Sequence, residues 1–160
     1  MSKNVKAVPE GYHTVTPYLV QRDTKKAIEF YVRAFGAETR MTMPGPDGRI
    51  MHADLRIGDS TVFMTDEFPE MCPDTKSPQT AGCVTSSVFL YVPDADAVFK
   101  RAVDAGAKVI TPVTDMFWGD RFGQVADPFG YRWSIATRQE NLTPQEISER
   151  RAAWEKQQGR

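Results

Sequence analysis

Ser87-Val88-Phe89-Leu90-Tyr91-Val92, followed by Asp94, Ala97-Val98-Phe99 and Ala105-Gly106-Ala107, is the stretch that decides the fold. The first six residues are mostly β-branched or aromatic and predict a strand. Asp94 is placed to accept an orphan backbone N–H at the start of a helix, and Gly106 to close that helix in a conformation that costs glycine little. The same succession occurs once before. Val15-Thr16-Pro17-Tyr18-Leu19-Val20 runs into Asp23, then Ala27-Ile28-Glu29-Phe30-Tyr31, and closes at Phe35-Gly36-Ala37. Two copies of one strand-helix-strand-strand-strand module are expected, from Thr16 to Asp66 and from Ser87 to Thr137.

In the first copy, Ala27, Ile28, Tyr31 and Ala34 or Phe35 recur at spacings of three and four, which marks one buried helix face. Pro44-Gly45-Pro46-Asp47-Gly48 is a turn cluster, so Glu38–Met43 and Arg49–Ile57 should form a hairpin, with Gly58-Asp59 turning into a strand over Thr61–Asp66. In the second copy, Lys108–Thr111 and Tyr131–Thr137 read as strands, the latter entered through the turn Asp127-Pro128-Phe129-Gly130. Glu67–Ser86 is polar, holds three prolines and shows no periodicity, so a long loop joins the modules. Thr143-Pro144-Gln145-Glu146 has the form of a capping box and starts a C-terminal helix. The expected plan is one domain over 1–160: a first module at 12–66, a loop at 67–86, a second module at 87–137 and a helix at 143–157.

With 20 basic and 21 acidic residues the net charge is -1, which offers no electrostatic footprint for nucleic acid or an anionic membrane. No apolar run approaches the roughly 20 residues of a membrane span, and Met1-Ser2-Lys3-Asn4-Val5 lacks the apolar stretch of a secretory signal, so a cytoplasmic protein is expected. Cys72 and Cys83 match no zinc or redox motif, and in a reducing compartment they are expected to stay unpaired.

The doubled module, together with Thr16-Pro17-Tyr18-Leu19, Ala34-Phe35-Gly36-Ala37, Met51-His52-Ala53-Asp54-Leu55, Phe117-Trp118-Gly119-Asp120-Arg121 and Asp127-Pro128-Phe129-Gly130-Tyr131-Arg132-Trp133, resembles the vicinal oxygen chelate superfamily. That superfamily includes glyoxalase I, extradiol dioxygenases and the bleomycin and fosfomycin resistance proteins, and the motifs look closest to its PhnB-like branch. The resemblance implies an α+β fold in which two tandem βαβββ modules form a curled mixed sheet around a cleft, followed by the C-terminal helix. It also implies a homodimer. PhnB-like proteins are sometimes labelled methyltransferases, but no glycine-rich loop for a methyl donor follows the first strand.

In metal-dependent members a divalent ion sits on His, Gln or Glu side chains from the first and last strands of the modules. Alignment on Asp23, Asp94 and the Asp127-Pro128 turn places those positions near Thr16, Met64, Ser87 and Ser134, none of which is a usual ligand. Strand alternation leaves His52, Asp54 and Arg56 on one face of the third strand, Ser87, Phe89 and Tyr91 on the fifth, and Arg132, Ser134 and Ala136 on the last. These are expected to face the cleft. Met51, Ala53, Leu55, Ile57, Val88, Leu90, Val92, Trp133 and Ile135 should pack on the helices.

Tyr18, Asp54, Met64, Phe89, Trp118, Arg121 and Ser134 are the expected ligand-binding residues. Trp118 is suited to stacking on a planar ligand, and Arg121 to gripping a carboxylate or phosphate, unless Arg121 pairs with Asp120 or Asp127. His52, with Asp54 two residues on, is the candidate general base. His13 reads as a solvated or capping residue. The expected function is metal-independent binding of an aromatic or anionic small molecule, with no cofactor. The alternatives are a divalent-metal-dependent, glyoxalase-like lyase, isomerase or dioxygenase, with His52, Asp54 and Asp66 as conceivable ligands, or a metal-free enzyme using His52 as base.

Overall fold

The computed structural model describes residues 5–157, so residues 1–4 of the lead-in, and with them most of the segment read for a secretory signal, lie outside the described residues. The chain divides into two compact units, Met1–Val84 and Thr85–Arg160, and the division falls inside the stretch read as the inter-module loop.

The first unit runs β1 (Tyr18–Gln21), α1 (Thr24–Phe35), β2 (Glu38–Pro44), β3 (Ile50–Ile57), β4 (Ser60–Asp66) and one helical turn, α2 (Pro78–Ala81). Its four strands are ordered β1-β4-β3-β2, with β1 parallel to β4 and the other pairs antiparallel. The second unit repeats this with β5 (Ser87–Tyr91), α3 (Ala95–Asp104), β6 (Lys108–Asp115), β7 (Asp120–Ala126) and β8 (Arg132–Arg138), ordered β5-β8-β7-β6, and adds α4 (Pro144–Gln157). The doubled βαβββ plan of an α+β protein is therefore present.

The local chemistry explains the boundaries. Asp23 accepts the Lys26 N–H at 3.1 Å and Asp94 accepts the Ala97 N–H at 2.9 Å, so each helix begins where a carboxylate satisfies its first turn. Gly36, at φ 68°, ends α1 in the left-handed region. The apolar face of α1 buries Ala27, Phe30, Tyr31, Ala34 and Phe35 against the sheet, with Leu19, Ala53, Leu55, Val62 and Met64 beneath. Full burial of each large apolar side chain contributes about 1.5–3 kcal/mol. In the second unit Val98 and Ala102 of α3 cover Val125, Trp133 and Ile135.

Some elements differ from the sequence reading. β6 extends to Asp115 instead of stopping at Thr111: Pro112 breaks the pairing with β7, but β6 is an edge strand, where a missing N–H and a register shift between Thr111 and Thr114 are tolerated. β7 starts inside the segment read as a recognition loop, so Asp120 and Arg121 stand on a strand. Over 67–80 the loop is pinned to the first unit. Glu67 accepts the Ser77 N–H at 2.5 Å and the Thr80 hydroxyl at 2.9 Å, Arg22 donates to Thr80 at 2.7 Å, and the Arg49 guanidinium lies 4.2 Å from the Phe68 ring centre. Met51 is exposed where burial was expected, and Val88, Leu90 and Val92 are half-buried. Among the described residues no helix is long and apolar enough to cross a membrane.

Candidate functional site

Residues directly opposite on paired strands share a face. In the first unit the pairs Leu19–Met64 and Ala53–Met64 put all three side chains on the α1 side. The pairs Tyr18–Phe63 and Asp54–Phe63 put those three on the other side, together with His52. Met64, expected in the cleft, is instead fully buried under α1, and its neighbour Phe63 takes the outward position. A shift of one residue along a strand reverses every side chain, which is why the error matters. Phe63 is also the true counterpart of Ser134: Phe63 pairs with Tyr18 and Ser134 with Phe89, and Tyr18 and Phe89 both stand five residues before their helix caps.

The outward face of the first sheet is a ring cluster. His52 lies 4.7 Å from Phe63 between ring centres, Tyr18 lies 5.9 Å from each, and Tyr12, from the irregular segment before β1, lies 6.0 Å from Phe63. Tyr12 donates its hydroxyl to Asp54 Oδ2, and that bond, with burial, raises the Tyr12 pKa. Asp54 therefore serves Tyr12, and among the described residues no hydrogen bond between Asp54 and His52 orients the imidazole as the sequence reading expected. Asp66 sits on the α1 side, where Oδ1 accepts the Thr24 N–H and Oδ2 the Ile50 N–H, each at 2.6 Å, so it does not converge with His52 and Asp54. His13 is exposed.

The second sheet carries a corresponding cluster on its face away from α3. Phe89 lies 4.9 Å from Tyr91 and 5.9 Å from Phe122, and Trp118 lies 5.7 Å from Phe122. Asp120, 4% exposed, organises this face: its Oδ2 accepts the Tyr91 hydroxyl and the Trp118 indole N–H, both at 3.0 Å. The bond raises the Tyr91 pKa. Ser134 is buried and accepts from Gln124 at 3.1 Å, while Arg132 stands exposed two residues before it on β8.

Arg121 does not join this face. Gly123 sits on the α3 side, where an added Cβ would meet Phe99, and Arg121, two residues before it, shares that side. Its guanidinium clasps Asp96 of α3 through two bonds of 2.8 and 2.9 Å and reaches Asp115 at 3.2 Å, which replaces both the expected anion grip and the alternative pairing with Asp120 or Asp127. Asp127 holds the Phe129 and Tyr131 N–H groups and the Trp133 indole, each at 2.9 Å. Sequence reasoning missed Phe63, Phe122 and Tyr12. Phe122 follows the quoted motif directly and could have been found by extending β7.

The metal that the resemblance brings to mind does not fit the donors present. Thr16, just before β1, and Phe63, Ser87 and Ser134 on strands occupy the corresponding positions, and hydroxyls and a ring are poor ligands for zinc or a hard divalent ion. Among the described residues no three His, Cys, Asp or Glu side chains come together.

A protein of two tandem βαβββ units, each with an aromatic-lined sheet face opposite its helix, is defined by these features. The chain belongs to the Glyoxalase/Bleomycin resistance protein/Dioxygenase superfamily, whose model matches residues 12–135. An uncharacterised protein of Mycobacterium tuberculosis strain H37Rv is 44% identical over 134 residues, spanning 83% of this chain and 79% of that protein. The crystal structure of TioX from Micromonospora sp. ML1 is similar with a TM-score of 0.62 at 29% identity, covering 79% of this chain and 98% of that one. The PhnB protein from Bacillus cereus shares the fold, with a TM-score of 0.59 at 17% identity, over 78% of this chain and 99% of its own.

Proposed function

We propose that this chain is a small-molecule-binding protein that holds an aromatic or anionic organic ligand without a metal ion. The observation that carries the reading is the pair of ring-lined sheet faces, Tyr18, His52 and Phe63 in one unit and Phe89, Tyr91, Phe122 and Trp118 in the other. Tyr18, Phe89 and Tyr91 remain 53%, 46% and 65% exposed, far more than rings used only to fill a core. Exposed rings clustered on one sheet face favour a planar partner by stacking and by removing apolar area from water. On the second face, Gln124 supplies an amide and Arg132 a guanidinium with no partner among the described residues, a set suited to an acidic substituent.

The reading includes a cytoplasmic homodimer. Cys72 and Cys83 are both exposed and unpaired, the state of thiols in a reducing compartment, and the dimer follows from the family resemblance.

Isothermal titration against planar aromatic acids, followed in parallel by Trp118 fluorescence, tests the proposal. Saturable binding that weakens in Phe89→Ala is expected. Absence of saturable binding across the panel would overturn the reading. Stoichiometric zinc, nickel, manganese or iron in the purified protein, lost in His52→Ala, would instead point to a metal-dependent lyase, isomerase or dioxygenase.

A further inference from the structure

We infer that the outward face of the first sheet holds a subsite for a positively charged, N–H-bearing aromatic group, with Asp54 as its counter-charge. This rests on the ligand-binding reading above and names the ligand chemistry for one of its two ring faces. The starting point is a difference among the buried carboxylates. Asp66 and Asp127 are fully used by the fold: both oxygens of each accept backbone or indole N–H groups. Asp120 accepts two donors on Oδ2. Asp54, only 3% exposed, receives one neutral hydroxyl on Oδ2, and its buried Oδ1 has no partner.

An ionised carboxylate offers about four lone-pair sites, and one left under-served in a buried position loses the full desolvation cost of the unmade bonds. The bond to Tyr12 uses Oδ2 alone, and no described group of the first unit uses Oδ1. A ligand that brings an ammonium or protonated ring nitrogen would supply the missing donor and the missing charge together.

The surroundings suit the same chemistry. Tyr12, Tyr18, His52 and Phe63 stand around Asp54 at interplanar angles of 53° to 79°, so ring faces turn toward more than one side of the cluster. The Tyr12, Tyr18 and Phe63 rings among them attract a cation through the ring quadrupole. Met41 and Met43 of β2, opposite Asp54 and His52 and 45% and 49% exposed, add polarisable thioethers at the rim. Of the neighbouring basic groups, Arg56 donates to the Gly58 carbonyl at 2.9 Å, while Arg40, 3.8 Å from Glu38, brings a solvent-screened positive charge near Tyr12 but leaves Asp54 Oδ1 without a donor. Tyr12 belongs to the irregular segment before β1, so no strand pairing fixes its ring on Asp54.

The test compares 4-aminoquinoline, cationic at neutral pH, with uncharged quinoline of the same ring system and with 1-naphthoate, by calorimetry on the full chain. The expected result is a preference of about tenfold or more for 4-aminoquinoline over quinoline. Asp54→Asn should abolish that preference. Should Asp54→Asn fail to fold by circular dichroism, Tyr18→Ala, at an exposed ring, gives the second reading and should shrink the preference for 4-aminoquinoline over quinoline. Equal affinities for the two quinolines in the unaltered protein, or a preference that survives in the folded variants, would overturn the subsite. Binding of 1-naphthoate alone would overturn it while leaving the proposed function standing, and failure of all three probes together with the panel of aromatic acids would overturn both.

Discussion

At the scale of single residues, the two sheets use one device twice: a buried aspartate tied to a tyrosine hydroxyl on the ring-lined face, Asp54 with Tyr12 and Asp120 with Tyr91. Donation to a carboxylate is the leading reason that both phenols hold their protons above the ordinary tyrosine range, with burial adding to it. The sign follows directly. A raised pKa in the folded state means that the stabilisation is fully present below the ordinary value of about 10 and is lost as pH rises through the raised one. A spectrophotometric alkaline titration should therefore show a late-ionising component, reduced in Tyr12→Phe and again in Tyr91→Phe. Gly123 makes a different point. A Cβ there would stand 2.8 Å from the Phe99 ring and 2.9 Å from Val113, so Gly123→Ala should cost about 1–3 kcal/mol and lower the melting temperature. Arg121 shows why residue type alone misleads: a guanidinium in a motif rich in aromatics invites a ligand, yet the parity of β7 turns it toward α3, and Asp96 takes it.

At the scale of elements, the helices were the most legible part of the chain, because Asp23, Asp94 and the Thr143–Glu146 box announce their starts by short-range chemistry. The box forms as read: Thr143 N–H donates to Glu146 at 2.7 Å and Glu146 N–H to the Thr143 hydroxyl at 3.3 Å. Those bonds, the backbone N–H of Thr143 first, hold the Glu146 carboxyl below its usual range. Their support is present above the ordinary glutamate value of about 4.3 and fades as pH falls through the lowered one. None of the described α4 residues is buried, so little else holds that first turn. Amide protection over 143–148, measured against the intrinsic exchange rate at each pH, should fall on acidification, and Thr143→Ala should reproduce the fall at neutral pH. Strands were less legible. Val62-Phe63-Met64 places three apolar residues in a row, a pattern that fills both faces and hides the parity. Only pairing with β1 shows that Phe63 and not Met64 looks outward.

For the whole molecule, a net charge of -1 predicts no retention on heparin at moderate salt, and a fold stabilised by two apolar cores predicts a melting temperature that a chelator leaves unshifted. Thermal denaturation with and without EDTA checks the second outcome, and a large downward shift would contradict the metal-free reading. The sequence by itself determined the doubled module, the helix starts and stops and the C-terminal helix, because each is written in local periodicity and capping chemistry, while the family came from the resemblance of its motifs. Tertiary structure decided which side chains share a face and which charges are already spent. It moved Met64 inward and Phe63 outward, gave Arg121 to Asp96, and left Asp54 with an unmet oxygen. Those outcomes depend on register between strands far apart in the chain, where one residue of slip reverses a whole face.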